Sequence, residues 1–84
     1  MVASIKLKQN FGLEIRKARQ NAKMTQVELA VAAEIATSHV QAFEAGQYHP
    51  SLETLFKLAR ALEIHPADLI VPCWDHWIKM PENK

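Results

Sequence analysis

The chain has 84 residues, an apolar fraction of 49% and a single cysteine, a composition that fits one small domain and excludes an internal disulfide bond. No stretch approaches the roughly 18 apolar residues of a membrane span, and the N-terminus lacks the apolar run of a signal peptide, so we expect a cytoplasmic protein with no membrane partner. The formal net charge is only +1, but residues 1–24 hold six cations and one anion, a balance of +5, and residues 25–84 hold four cations and eight anions, a balance of −4.

The first predicted helix, residues 6–22 or 9–22, carries much of this positive charge beside an apolar stripe. Its apolar residues recur at the 3.6-residue spacing of a helix. They are Phe11, Ile15 and Ala18. A basic side of this kind can direct a domain toward phosphate groups. A solvated helix face gives the same pattern, so charge alone leaves both interpretations open.

Residues 25–46 predict two short helices joined by a tight turn. Thr25 and Glu28 form the capping box that starts the first of them, at about residues 26–33. The second spans about residues 37–45 and ends at a glycine, which accepts the left-handed backbone of a helix stop. Two helices of this length and connection are typical of a helix-turn-helix, whose second helix enters the DNA major groove.

Two further helices complete the predicted bundle. Ser51 caps the fourth, which ends near Glu63 and has so wide an apolar face that we expect contacts from two sides. A short fifth helix follows at about residues 66–70, and Pro72 ends it. The apolar face of the fourth helix comprises Leu52, Leu55, Phe56, Leu58, Ala59 and Leu62. The sequence therefore predicts an all-α fold, a compact five-helix bundle.

The chain divides into a helix-turn-helix domain, residues 1–71, and a C-terminal tail, residues 72–84, whose polar end we expect to be disordered. The apolar residues of the tail are Trp74, Trp77, Ile78 and Met80. They lie beyond an already complete bundle. Packing onto the chain's own core and pairing across a dimer explain them equally well.

Six short motifs between residues 12 and 70 are specific when they are taken together. They are Ile15-Arg16-x-x-Arg19, Thr25-Gln26-x-Glu28-Leu29-Ala30, Val40-x-x-Phe43-Glu44-x-Gly46, Pro50-Ser51-Leu52-x-Thr54-Leu55, Leu58-Ala59-x-Ala61-Leu62 and Pro66-x-x-Leu69. Over about 70% of the chain, these motifs resemble the Cro/CI-type (Xre-family) helix-turn-helix domain of phage repressors and small bacterial regulators. The resemblance implies five helices around one core, with the third as the recognition helix.

The resemblance also implies roles for individual side chains. The base-reading positions hold Thr37, Ser38, Gln41 and Ala42. Gln26, at the start of the second helix, would contact a DNA phosphate. Arg19 would form a buried or half-buried ion pair with Glu44 that clamps the first helix to the third. A cation beside Glu44 agrees with the helix dipole, because an anion in the last turn of a helix is otherwise unfavourable; an unpaired Glu44 at the surface is the alternative.

The chemistry of the third helix suits a modest DNA-reading surface. A helix of about nine residues is about as long as the major groove is wide. Gln41 can bind adenine through two hydrogen bonds, Ser and Thr can serve several bases, and Ala42 can contact a thymine methyl group. The candidate phosphate contacts are Lys17, Lys23, Gln26, Tyr48 and Ser51. From composition alone, a solvated face of ordinary small residues is the favoured interpretation.

Two positions depart from the family pattern. Glu34 occupies the turn position that usually holds glycine, so we expect a positive φ there at a cost of about 1 kcal/mol. Ala36 replaces the usual serine cap of the third helix, which costs about another 1 kcal/mol unless Thr37 takes over the cap. Glu34 also adds negative charge near the DNA face, and the loop at residues 47–49 lacks Lys and Arg. We expect these features to weaken DNA binding.

The sequence signals for metal binding and catalysis are weak. Cys73-x-x-His76 has the spacing of two metal ligands, but no second pair of ligands follows in the sequence. The sequence has no HExxH pattern, no glycine-rich phosphate loop and no evident set of nucleophile and base. We therefore expect no metal site, no cofactor and no enzymatic activity.

Taken together, these features predict a sequence-specific, double-stranded DNA-binding transcriptional regulator, in the form of a homodimeric repressor. Two copies of the third helix would enter successive major grooves about 34 Å apart on a near-palindromic operator. An antitoxin is one alternative, with a toxin bound by the tail from Trp74 to Met80. A controller protein of a restriction–modification system is another, because such proteins resemble this chain in size and domain content.

Overall fold

The computed structural model describes residues 2–81, and its regular structure over that range is helical. The helices are α1 (Val2–Asn21), α2 (Gln26–Ala33), α3 (Thr37–Glu44), α4 (Leu52–Leu62) and α5 (Pro66–Trp77). This confirms the predicted all-α, five-helix fold. Between residues 2 and 81, no helix is both long enough and apolar enough to cross a membrane.

Helices α2 and α4 begin at side-chain caps, as their sequences predict. The Thr25 hydroxyl accepts the Glu28 N–H at 3.0 Å, and the Glu28 carboxylate accepts the Thr25 N–H at 2.8 Å, which completes the expected capping box. The Ser51 hydroxyl accepts the Thr54 N–H at 3.1 Å at the start of α4. These caps satisfy N–H groups that have no partner inside the helix, and so fix where each helix starts.

The core lies where α1 packs against α3 and α5 and where α2 packs against α3 and α4. Every helix contributes one large side chain that is fully buried: Ile15, Leu29, Val40, Leu58 and Leu69. The rings of Phe11 and Phe43 meet edge to face with centroids 6.4 Å apart, which joins α1 to α3. Because burying one such aliphatic side chain contributes about 1.5–3 kcal/mol, this shared centre holds the five helices together.

The wide apolar face of α4 is only partly covered. Helices α2 and α5 both contact α4, as the width of the face predicts. Leu55, Leu58 and Leu62 are buried by these contacts, whereas Leu52 and Phe56 remain more than half exposed. The buried face of α4 is therefore narrower than the apolar face that its sequence shows.

Helix α1 begins earlier than predicted, at Val2 rather than at Lys6 or Gln9. The added turns bury apolar side chains: Ala3 is buried, and Leu7 packs against the core. Leu7 shares a small apolar cleft with residues of α5. The added part of α1 therefore lies beside α5, which is itself longer than the sequence predicts.

Helix α5 continues through Pro72 to Trp77, so the prediction that Pro72 ends it is wrong. A proline inside a helix removes a backbone hydrogen bond and costs about 3 kcal/mol. Burial beyond the proline offsets this cost, because Cys73 lies in the core and Met80 is buried just after the helix. As a result, α5 crosses the predicted boundary between residues 1–71 and the tail.

The apolar residues of the predicted tail divide between the core and the surface. Met80 is buried and Trp77 is half-buried, whereas Trp74 and Ile78 are exposed. Both interpretations of the tail, packing onto the chain's own core and pairing across a dimer, thus have side chains that fit them. The last three residues of the polar end, 82–84, lie outside the described residues.

Candidate nucleic-acid interface

The outward side of α3 holds the four residues predicted to read bases. They are Thr37, Ser38, Gln41 and Ala42, of which the second and third are exposed and the others half-buried. Val40 and Phe43 turn away from this side into the core. With eight residues, α3 is about 12 Å long at ~1.5 Å per residue, which is close to the width of the major groove. Its dimensions and its exposed chemistry therefore suit insertion into DNA.

The turn between α2 and α3 contains both departures noted in the sequence. Glu34 has φ 58° and ψ 44°, the left-handed conformation that glycine usually provides. The Ile35 N–H donates to the Ala30 carbonyl at 3.0 Å, which closes α2 despite the missing glycine. Ala36 precedes α3 without a side-chain cap. Within residues 2–81 the Thr37 hydroxyl makes no hydrogen bond, so Thr37 does not replace the missing cap. The turn therefore contains a left-handed residue other than glycine and lacks a side-chain cap, both at some cost in stability.

A buried carboxylate joins the first three helices. Glu44, in the last turn of α3, has a side chain only 1% exposed and accepts two hydrogen bonds from Arg19, at 2.6 and 3.0 Å. The ion pair predicted between these residues is thus present. Two further donors reach the same carboxylate, Gln26 Nε2 at 3.2 Å and Arg16 Nε at 3.4 Å. The sequence does not predict the contact of Arg16, because its spacing from Glu44 carries no local signal.

The donors around Glu44 fix its charge. Burial alone would raise the pKa of Glu44, but hydrogen bonds from Arg19, Gln26 and Arg16 outweigh burial and hold that pKa below its ordinary value of 4.5. The hydrogen bond to Glu44 raises the pKa of Arg19, against the opposing effect of burial. Arg19 also donates from Nη1 to the Met24 carbonyl at 2.9 Å. An ionised pair therefore holds α3 against α1 at neutral pH.

The backbones of α1 and α3 approach each other closely at Gly12. A Cβ atom at this position would lie well inside van der Waals contact with the Phe43 carbonyl oxygen and 3.0 Å from the Glu44 carbonyl oxygen. Only a residue without a side chain fits this space. The sequence signal for the contact is an isolated glycine within a regular helical pattern, and its partner could not be named from the sequence.

A cleft of about 600 Å³ separates the outer side of α3 from the start of α4. Its lining includes Ser38 and Ala42 from α3, together with Tyr48 and Ser51 from the segment that leads into α4. Tyr48 is exposed, and its ring is therefore accessible from outside. The structure thus brings two base-reading candidates and two phosphate candidates together on one surface.

The remaining phosphate candidates lie in different places. Gln26 is half-buried at the start of α2, and Lys23 is exposed in the preceding turn with φ 57°. Lys17 lies on α1, and its Nζ is 3.5 Å from the Glu14 carboxylate. It lines a cleft between α1 and α5 that also includes Asp68. The structure therefore does not bring Lys17 together with the other candidates.

The family model described as Helix-turn-helix matches residues 15–69, which is more than half of the chain. The chain belongs to the helix-turn-helix family. The matched range includes all of α2, α3 and α4, so the family assignment covers the surface around α3. It confirms the resemblance that the sequence motifs indicate.

This helix-turn-helix protein is similar to several regulators. It is 37% identical over 59 residues to an immunity repressor protein of Bacillus phage phi105, a match that covers 70% of this chain but only 41% of that repressor. The restriction-modification controller protein C.AhdI from Aeromonas hydrophila is 35% identical, with a TM-score of 0.72 over 74% of this chain and 94% of that one. The clp gene regulator ClgR from C. glutamicum is 26% identical, with a TM-score of 0.75 over 83% and 91%. Together with the family model, these relatives support a DNA-binding transcriptional regulator.

One side of α5 in this helix-turn-helix protein is apolar but uncovered. Its exposed residues are Ile70, Val71, Trp74 and Ile78, which we call the α5 stripe. They recur at helical spacing, and Trp74, the largest, is 57% exposed. Contiguous apolar surface of this kind is typical of an interaction surface rather than of a solvated helix.

Cys73 is unsuited to the metal-ligand role that its spacing from His76 suggests. Its thiol is buried in the core and donates to the Leu69 carbonyl at 3.3 Å. Burial raises the pKa of this thiol to about 11, with a further contribution from Glu14, so the thiol stays protonated at neutral pH. In residues 2–81, no three His, Cys, Asp or Glu side chains are grouped closely enough to hold a metal ion.

Proposed function

We propose that this protein is a sequence-specific, double-stranded DNA-binding repressor that binds a near-palindromic operator as a homodimer. The observation that carries the proposal is the outward side of α3, where four small or amide side chains lie together. The core side chains of the same helix turn away from them. Such a helix can enter the major groove without disturbing the core that holds it.

The four outward residues of α3 would read base edges. Gln41 is exposed and has the donor and acceptor needed to bind adenine through two hydrogen bonds. Thr37 and Ser38 lie at the start of α3, which is the end that a recognition helix presents to the bases. Ala42 offers a methyl group that suits the methyl group of thymine.

Residues around α3 would hold the phosphate backbone. Tyr48 and Ser51 border the cleft beside α3, and Gln26 lies at the start of α2, where N–H groups without helical partners favour an anion. Lys23 supplies an exposed positive charge in the turn before α2. These contacts would position the protein on the duplex, whereas the base contacts select the sequence. Lys17 lies apart from this group and would contribute only to the overall positive field.

The α5 stripe would join two copies of the protein. Its central residue, Trp74, is the type of side chain that most often dominates the energy of a protein–protein interface. Two paired copies would present two α3 helices to a duplex, and a recognition helix in each of two successive major grooves requires half-sites about 34 Å apart. A toxin or another protein partner would use the same stripe. Sedimentation distinguishes these partners: the purified chain alone shows whether it forms a dimer, and the chain co-expressed with its neighbouring genes shows whether a second protein binds.

A controller protein of a restriction–modification system is a second candidate function. It is favoured by the similarity to C.AhdI, which this chain matches over 94% of the length of that protein at 35% identity. Both candidate functions use the same DNA-binding surface and differ in the genes that are regulated. Endonuclease and methyltransferase genes beside this gene would support the controller, and a prophage setting would support the repressor.

In-vitro selection from a random pool of duplexes, at about physiological salt, tests the proposed function. We expect an enriched two-fold-symmetric motif whose half-sites are centred about one helical turn apart. Enrichment of a motif without symmetry would contradict the homodimer. A pool with no enrichment would contradict sequence-specific binding altogether.

Substitution of Gln41 tests the reading role of α3. Gln41→Ala should relax the base preference at one position of each half-site and cost about 1–3 kcal/mol on the preferred operator, because a side chain that reads a base is lost. Gln20→Ala, which removes an exposed glutamine from α1, is the matched control and should leave the selected motif unchanged. A uniform loss on all sequences for Gln41→Ala would mean that α3 does not read bases through this residue.

A further inference from the structure

Three side chains donate to one oxygen atom of the buried Glu44 carboxylate. Arg19 Nη2 lies 3.0 Å, Gln26 Nε2 3.2 Å and Arg16 Nε 3.4 Å from Oε1. Because they share this oxygen atom, Arg16 Nε and Gln26 Nε2 lie close to each other. One carboxylate thus sets the positions of both a half-buried amide at the start of α2 and a guanidinium on α1.

The two arginines of this cluster are used differently. Arg19 donates from Nε, Nη1 and Nη2 within the fold, and its side chain is only 14% exposed. Over residues 2–81, Arg16 donates only from Nε, and its side chain is 51% exposed. Within residues 2–81, neither terminal nitrogen of Arg16 has a hydrogen-bond partner. A guanidinium held by one nitrogen and free at its other two can offer parallel donors to two oxygens of a phosphate.

The cluster also carries a surplus positive charge. Two guanidinium groups surround one carboxylate, and Arg19 makes the shorter contacts, so the uncompensated charge falls on Arg16. The anion in the first turn of α2, Glu28, accepts the Thr25 N–H in the capping box. The start of α2 adds the partial positive charge of a helix N-terminus. Because Glu28 keeps its negative charge and offsets the helix N-terminus, the attraction for an anion comes from the uncompensated charge of Arg16.

We propose that Arg16 is a DNA phosphate contact and that Glu44 is the residue that positions it, beside the contact proposed for Gln26. This inference rests on the proposed function, because it assigns a further residue to the same DNA-binding surface. It also separates two adjacent cations. Arg16 lies against the end of α3, whereas Lys17 lies beside Glu14 and the cleft toward α5.

The test compares Arg16→Gln with Lys17→Gln, which remove the same charge from adjacent positions. Binding to the selected operator and to an unrelated duplex is measured by fluorescence anisotropy over a range of salt concentrations. For Arg16→Gln we expect about tenfold weaker binding to both duplexes and a salt dependence less steep by about 2 for a dimer, because each phosphate contact contributes about 0.9 to the slope. For Lys17→Gln, which removes a contribution to the overall positive field alone, we expect less than about a twofold loss and a smaller change in the slope than for Arg16→Gln. Thermal unfolding of both variants verifies that each is folded.

A charge-conserving variant, Arg16→Lys, tests the positioning role of Glu44. Lysine keeps the charge, but it cannot donate to Glu44 through one nitrogen while two others face a phosphate. We therefore expect the salt dependence to return to that of the wild type and the affinity to recover only in part. Full recovery of affinity would overturn the role assigned to Glu44.

The outcomes separate this inference from the proposed function. Equal losses for Arg16→Gln and Lys17→Gln would overturn the assignment of Arg16, since overall charge would then explain both. The proposed function would stand in that case, because the wild-type protein still binds its operator. If the wild-type protein binds neither duplex, the proposed function fails and the assignment of Arg16 fails with it.

Discussion

Replacing Gly12 with alanine should destabilise the fold, although alanine favours a helix more than glycine does. The added Cβ would collide with the Phe43 carbonyl oxygen and lie 3.0 Å from the Glu44 carbonyl oxygen. Both oxygens belong to the backbone of α3, so no side-chain rotation can relieve the contact. The strain must instead separate α1 from α3, and this separation lengthens the ion pair whose shortest distance is 2.6 Å.

The magnitude of the effect follows from three contributions. Overpacking costs about 1–3 kcal/mol, and a contact between two backbones lies toward the upper end. Breaking a buried ion pair costs about 3–5 kcal/mol, so stretching it without breaking it adds about 1 kcal/mol. The helix propensity of alanine returns about 1 kcal/mol. The net loss of about 2–3 kcal/mol should lower the Tm of a domain of this size by about 10–20 °C.

Thermal unfolding followed by circular dichroism measures this loss. Gln20→Ala is the control, because it changes an exposed position of the same helix and should shift the Tm by less than about 2 °C. An unchanged or raised Tm for Gly12→Ala would refute the reasoning. It would show that α1 and α3 can separate freely, and that the close approach does not constrain the fold.

Two further predictions concern acidic residues, with urea unfolding as the assay for both. Because the folded-state pKa of Glu44 lies below its ordinary value of 4.5, its ion pairs stabilise the fold above that value, and the contribution is lost as the pH falls through the folded-state pKa. Glu44→Gln should be less stable at about pH 7 but should lose less stability on acidification, and parallel losses would contradict this. Glu34→Gly should stabilise the fold by about 1 kcal/mol, because glycine tolerates its positive φ. Glu34→Gln keeps the backbone strain and should not stabilise; an equal gain would assign the effect to charge.

The segment from α2 to α4 could be predicted closely because its signals are local. Thr25 with Glu28, and Ser51 before α4, fix helix starts within three residues of sequence. The length of α5 could not be predicted in this way. The rule that a proline ends a helix is local, whereas the burial of Cys73 and Met80 depends on residues far away in sequence.

In the candidate site, the sequence predicts which types of residue are present better than it predicts the side of the helix on which each one lies. Arg16 and Lys17 are adjacent cations, and at 3.6 residues per turn they point about 100° apart around α1. Only the position of α3 shows which of them meets Glu44. The same holds for Gly12, whose importance lies in the backbone that passes beside it rather than in any neighbour in sequence.

The polar side chains on the outward side of α3 do not take part in holding the fold together. Within residues 2–81, Thr37, Ser38 and Gln41 make no side-chain hydrogen bond to the rest of the fold. The helix is secured instead by Val40, Phe43 and other residues on its inner side. Exchanges at the outward positions should therefore cost little stability, within about 0.5 kcal/mol. With the base-reading role proposed for these positions, single substitutions there would change the DNA sequence that is bound and leave the stability of the fold nearly unchanged.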